Sequence, residues 1–123
     1  DGTISGISPM GAQSIFSFIG PGSSIKIISL VKGDAKLLQL AKETFKGNTK
    51  LGKEASALIE QLAKGNFNPG IGTKNIFKNI LEARSKGGAR VYFRKIGDTV
   101  EILAYSNKPT QVAVIKQLRK IWM

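Results

Sequence analysis

The sequence predicts an α+β domain in which N-terminal helices pack on a twisted antiparallel β-sheet and a C-terminal helix closes the chain. Three observations predict it. Apolar residues recur at helical spacing between Asp34 and Lys64, the period changes to two between Ile80 and Tyr105, and helical spacing returns after Lys108. The 123 residues suffice for one core without disulfides or structural metals.

Residues 1–33 are rich in Gly, Ser and Ile. Met10 to Ile19 reads as a short helix broken by Gly20-Pro21-Gly22, and Ser24 to Val31 as either a strand or a helical turn. This stretch is expected to be a lead segment or linker packed on the domain, with the domain itself at 34–123. Asp34 is a helix N-cap, and Lys46-Gly47-Asn48 a stop. Between them Leu37, Leu38, Leu40, Ala41 and Phe45 keep helical spacing. A second helix, about Lys50 to Lys64, has Leu51, Ala55, Leu58, Ile59 and Leu62 on one stripe.

Phe67 to Thr73, with Pro69 and two glycines, reads as a loop. Ile80 to Ser85, Ala89 to Ile96 and Thr99 to Tyr105 read as strands. A last helix is expected from Lys108 or Pro109, burying Val112, Ile115, Leu118 and Trp122, with Lys116, Arg119 and Lys120 on a solvated outer side.

Turn length sets the register. A two-residue turn at Gly97-Asp98 sets Arg94 opposite Glu101, Phe93 opposite Ile102, Tyr92 opposite Leu103, Val91 opposite Ala104 and Arg90 opposite Tyr105. For the preceding hairpin, a Gly87-Gly88 turn would bury Arg84 beside Val91. A three-residue loop, Lys86-Gly87-Gly88, instead sends Leu81 and Ala83 to the core and sets Arg84 beside Arg90 and Glu82 beside Tyr92. A one-residue slip flips every side chain, so burial selects the second register. One face then carries Val91, Phe93, Val100, Ile102 and Ala104. The other, exposed, carries Glu82, Arg84, Arg90, Tyr92, Arg94, Glu101, Leu103 and Tyr105. Arg94 with Glu101 reads as a structural cross-strand pair.

The composition narrows the chemistry. There is neither His nor Cys, which excludes the common zinc sites and every Ser-His or Cys-His nucleophile. The net charge is +11, and it is uneven. Residues 1–66 carry eight cations and five anions, residues 67–123 eleven and three. A basic sheet in the second half points to a polyanionic partner. Arginines that clamp phosphate, interleaved with rings that stack bases, suit single-stranded RNA. Cleavage by the neighbouring 2′-hydroxyl needs charge stabilisation, which Arg84 and Arg90 offer, and a proton acceptor: Glu82, a tyrosine or a lysine of lowered pKa. No apolar run approaches the roughly 20 residues of a membrane span. Because Asp1 is not an initiator Met, the chain is expected to be cut from a longer polypeptide or to be preceded by tag residues.

The segments Leu58–Asn66, Ile80–Arg84, Gly88–Arg94, Val100–Leu103 and Ser106–Gln111 together resemble the RelE/HigB/ParE superfamily of small bacterial toxins, over about two thirds of the chain counting both helices. The resemblance implies the fold shared with barnase, EndoU and colicin nucleases, with RNA on the sheet face opposite the helical hairpin. It sets Arg90 where RelE-like enzymes keep a catalytic arginine, Lys108 near a basic residue at the end of the last strand, and Lys74 near a lysine of the loop before the sheet. Ribosome-dependent members carry lysines on the first hairpin strand, where this chain has Glu82 and Arg84. The expected catalytic residues are therefore Arg90, Lys108, Arg84, Glu82 and Tyr105, and the RNA-binding ones Lys74, Lys78, Tyr92, Thr110 and Gln111, with no metal or cofactor. The expected activity is metal-independent cleavage of cytoplasmic RNA, tRNA first. The alternative is a non-enzymatic toxin of the same fold that blocks gyrase or the ribosome, since ParE-like members act on gyrase. The chain also resembles the C-terminal domains of contact-dependent growth inhibition and polymorphic toxin effectors. That implies delivery from the cell surface into a neighbour's cytoplasm and an acidic immunity protein as partner.

Overall fold

The computed structural model describes residues 25–123. Five strands, β1 (Lys26–Ser29), β2 (Thr73–Phe77), β3 (Ile80–Arg84), β4 (Arg90–Ile96) and β5 (Thr99–Ser106), form one sheet in the order β1-β5-β4-β3-β2. All neighbours are antiparallel except β1, which runs parallel to β5. The helices are α1 (Ala35–Phe45), α2 (Thr49–Ala63) and α3 (Gln111–Trp122), and Val31–Gly33 makes a 3₁₀ turn. The α+β class and the C-terminal helix are as the sequence predicts. No helix among the described residues is long and apolar enough to cross a membrane.

The helical hairpin forms for local reasons. Asp34 Oδ1 accepts from the Leu37 N–H at 2.8 Å, and Asn48 Oδ1 accepts from the Leu51 N–H at 3.0 Å. Each satisfies a backbone donor that the first turn leaves open. Leu51, Ala55, Leu58, Ile59 and Leu62 bury the predicted stripe against Ala83, Val91, Phe93, Val100 and Ile102. A second core lies on the opposite side of the sheet, where Val114 and Leu118 of α3 cover Ile80, Tyr92, Leu103 and Ala104. Leu37 and Leu40 join this second core, whereas Ala41 joins the first, so α1 contributes to both.

The structure differs from the sequence reading in several places. Of the two readings of Ser24 to Val31, the strand holds over Lys26–Ser29, so the sheet begins inside the segment read as a lead or linker packed on the domain: Ile27 pairs in parallel with Val100 and is fully buried. Met10 to Ile19 lies outside the described residues. Thr73–Phe77 is an edge strand, where the sequence shows only Ile76 and Phe77 as apolar signals. The last helix begins at Gln111, since Asn107 Oδ1 accepts from both the Thr110 N–H (3.1 Å) and its hydroxyl (2.7 Å), closing a turn around Pro109. The helix buries Leu118 as expected, with Ile115 and Trp122 half-buried, but it also buries Val114 and leaves Val112 78% exposed.

Candidate active site around Glu82

The β3–β4 register is the one burial selects: Arg84 pairs with Arg90, Ala83 with Val91, Glu82 with Tyr92 and Leu81 with Phe93. The loop is fixed from outside the sheet. Glu54 of α2 accepts from the Ser85 hydroxyl at 2.5 Å and from the Gly87 N–H at 2.8 Å, and the Ser85 oxygen in turn accepts from the Ala89 N–H at 2.9 Å. A Cβ on Gly87 would fall 2.2 Å from the Glu54 carboxylate. The Ser85 hydrogen bond, helped by Gly87 and Lys50 and opposed by burial, holds the Glu54 carboxyl below the usual range.

On its other side β3 is held by the loop before β2. The Ile71 N–H donates to the Arg84 carbonyl at 2.9 Å, and the Arg84 N–H to the Gly72 carbonyl at 3.2 Å. Gly70 makes this possible: its φ is +66°, and a Cβ there would stand 2.2 Å from the Arg84 carbonyl oxygen. Gly70→Ala is therefore expected to cost at least about 1–3 kcal/mol, read by urea unfolding, and to lower any activity that depends on Arg84.

Between Phe93 and Tyr92 the β4–β5 register shifts. Phe93 faces Ile102, but Tyr92 faces Ala104, Val91 faces Tyr105 and Arg90 faces Ser106. The extra residue in β5 exchanges faces beyond it. Tyr105, expected in the site, instead packs on the helical-hairpin side, edge-to-face on Phe45 at 5.3 Å between centroids. Burial pushes its hydroxyl pKa up. Ser106 takes the place on the Glu82 side.

The face read as exposed is half covered. Its centre is Glu82, 1% exposed. Tyr92 is fully buried, and its hydroxyl donates to Glu82 Oε2 at 2.6 Å. Its one hydrogen thus committed, Tyr92 accepts from the Ser106 hydroxyl at 2.8 Å. Tyr92 is therefore a support for the carboxylate and not a ring on which a base stacks. Burial, then the Glu82 hydrogen bond, raises its pKa. Gln111, at the first turn of α3, donates to the same Oε2 at 2.9 Å. Three cations surround this carboxylate: Arg84 Nη2 at 3.4 Å and Lys74 Nζ at 4.0 Å from Oε1, and Arg90 Nε at 3.9 Å from Oε2. Burial pushes the Glu82 pKa up, but the Tyr92 and Gln111 hydrogen bonds and the Lys74 and Arg84 charges outweigh it, and the group stays below the ordinary carboxylate range.

The two oxygens differ. Oε2 is saturated by short bonds, whereas among the described residues Oε1 has only the long contacts to Arg84 and Lys74, whose side chains are 34% and 62% exposed. Arg90 is 6% exposed; its Nη1 donates to the Gly88 carbonyl at 3.3 Å, while its Nε makes no hydrogen bond among the described residues. One buried negative charge thus faces three positive ones.

Of the predicted residues, Glu82, Arg84, Arg90, Tyr92, Gln111 and Lys74 converge. Thr110 does not: its hydroxyl lies 2.9 Å from that of Thr44 and bonds Asn107, so it fastens the start of α3 to α1. Lys108 is exposed in the β5–α3 loop without an ion pair among the described residues, and Lys78 occupies the β2–β3 turn at the far end of β3. Sequence reasoning missed Ser106, which only the register shift brings in, and Glu54, whose helical position says nothing about a distant loop.

Comparison with known proteins finds no family model, no curated protein and no solved structure that matches the chain.

Proposed function

We propose that this chain is a metal-independent endoribonuclease of RelE-like type, acting as a toxin domain on cytoplasmic RNA, with tRNA the first substrate to try. The observation that carries this reading is the excess of positive charge at a buried carboxylate: Lys74, Arg84 and Arg90 around Glu82, with the Arg90 Nε making no hydrogen bond among the described residues. A phosphodiester supplies the missing negative charge, and both arginines can bind it through more than one N–H. Arg84, the more exposed of the two, turns from Glu82 Oε1 toward the phosphate and frees that oxygen. Oε1 then takes the proton of the 2′-hydroxyl as its oxygen attacks phosphorus. The arginines stabilise the charge that develops, and the leaving 5′-oxygen takes a proton from the Lys74 ammonium. Oε2, held by Tyr92 and Gln111, keeps the carboxylate ionised and in place.

A free ribonuclease endangers the cell that makes it. The reading therefore includes delivery from the surface of a producing cell and a co-produced acidic immunity protein that covers Arg84, Arg90 and Lys108, drawn by opposite charge.

Incubation of the purified chain with total RNA or tRNA in EDTA tests the proposal. Cleavage should persist in the chelator. Arg84→Ala should slow it by roughly 10²–10³-fold, the usual scale for one transition-state donor, with little change in stability because Arg84 is partly exposed. RNA left intact at high protein concentration would overturn the enzymatic reading in favour of a toxin that binds gyrase or the ribosome.

A further inference from the structure

Two side chains of α3 reach from the Glu82 site to the strand at the sheet edge. At the near end Gln111 of α3 bonds Glu82 Oε2, and Lys74 is the β2 register partner of Glu82. At the far end the Arg119 guanidinium of α3 lies over the Phe77 ring of β2, 4.9 Å from its centroid. Gln111 to Arg119 rises about 12 Å at 1.5 Å per residue, and Lys74 to Phe77 about 10 Å at 3.3 Å per residue. The two advances are similar, so Arg119 and Phe77 stand at about the same distance along the molecule from the carboxylate.

This strip is cationic throughout. Lys116, Arg119 and Lys120 are exposed on α3, Lys74 is exposed on β2, and Lys78 is exposed at the turn that follows. Neither α3 nor β2 contains an Asp or Glu. The contrast with α2 is informative: there Lys50 and Lys53 alternate with Glu54 and Glu60, as a solvated face usually does. Lys74 has Glu82 beside it, but Lys78, Lys116, Arg119 and Lys120 have no ion pair among the described residues, and such a run of like charges opposes folding and favours a polyanion.

We propose that the α3–β2 strip is a second binding surface, a track that holds the phosphates of a single-stranded polynucleotide beyond the one at Glu82. The inference rests on the ribonuclease reading in that the strand is anchored where Arg84 and Arg90 bind the scissile phosphate. It adds that the substrate is a strand several nucleotides long, and that residues remote from the chemistry set its affinity. Backbone phosphates are its ligand, so the strip adds affinity without sequence preference.

The test compares binding of a trimer and a dodecamer of single-stranded DNA, which lacks the attacking 2′-hydroxyl, by fluorescence anisotropy across salt concentrations. The variant is Lys78→Asn, Lys116→Gln and Lys120→Gln together; none of these lysines makes an ion pair among the described residues. The triple variant should bind the dodecamer about tenfold or more weakly, with a log–log salt slope shallower by about 2, near 0.7 for each lost phosphate contact. Trimer binding should not change. Unchanged dodecamer affinity and slope would overturn the track and leave the strip for an acidic protein. The ribonuclease reading fails separately: if wild-type protein never cuts RNA while dodecamer binding still depends on the three lysines, the track stands without the enzyme.

Discussion

Arg90→Ala is expected to lower RNA cleavage by roughly 10³–10⁵-fold, the range for removal of an arginine that neutralises a phosphoryl transition state. The sequence pattern sets Arg90 on an exposed face, where its loss would leave the fold untouched. The structure changes that expectation, because Arg90 is 6% exposed and its side chain fills space between Gly88 and Glu82. Truncation leaves a void as well as a missing charge. Two measurements separate these consequences. Urea unfolding reports the void, and cleavage under conditions where the variant is fully folded reports the charge. Arg90→Lys sharpens the comparison. It keeps the charge and most of the volume but loses the planar fork, so it should remain folded and still cut far more slowly than wild type. An Arg90→Lys protein as fast as wild type would mean that Arg90 serves only to balance Glu82, and the phosphate would have to lie on Arg84 and Lys74 alone.

How far the sequence could be read depended on which residues carried the decision. The β3–β4 pairing was legible because one register buries Ala83 and the other buries Arg84, and the cost of a buried unpaired arginine chooses between them. The capped helical hairpin was legible from Asp34, Asn48 and two apolar stripes. The extra residue in β5 was not, since no glycine marks it and Leu103, Ala104 and Tyr105 are all tolerable in a strand. That single insertion removes Tyr105 from the site and brings Ser106 in. The apolar stripe of α3 says that the helix is buried but not against which side of the sheet. Its true position turns Tyr92 from a surface ring into a buried hydrogen-bond donor and makes Glu82 a core carboxylate. Strands β1 and β2 lie at the two edges of the sheet, where short segments carry few buried residues and so little pattern.

Glu82→Ala should be the most destabilising of the substitutions at this site, at about 3–5 kcal/mol, the scale for removing one partner of a buried charged pair. It strands the Tyr92 hydroxyl and Gln111 amide and leaves Arg90 without its counter-charge. Tyr92→Phe is the milder probe, expected to cost about 1–3 kcal/mol because Glu82 and Ser106 each lose one buried partner. The two also make a pH prediction. The folded-state pKa of Glu82 lies below its unfolded value, so its contribution to stability is complete above the unfolded pKa and is lost as pH falls through the folded one. Wild-type protein should lose stability on acidification below the ordinary carboxylate range, and Glu82→Ala should lose less over the same interval. Cleavage should decline on the acid side as Glu82 takes up its proton. Tyr92→Phe removes a hydrogen bond that lowers that pKa, so the acid limb of its rate profile should move to higher pH. Rates measured across pH, with circular dichroism to verify folding at each point, decide the matter. If the acid limb of Tyr92→Phe coincides with that of wild type, Glu82 is not the group whose ionisation the reaction needs, and its place among three cations is structural.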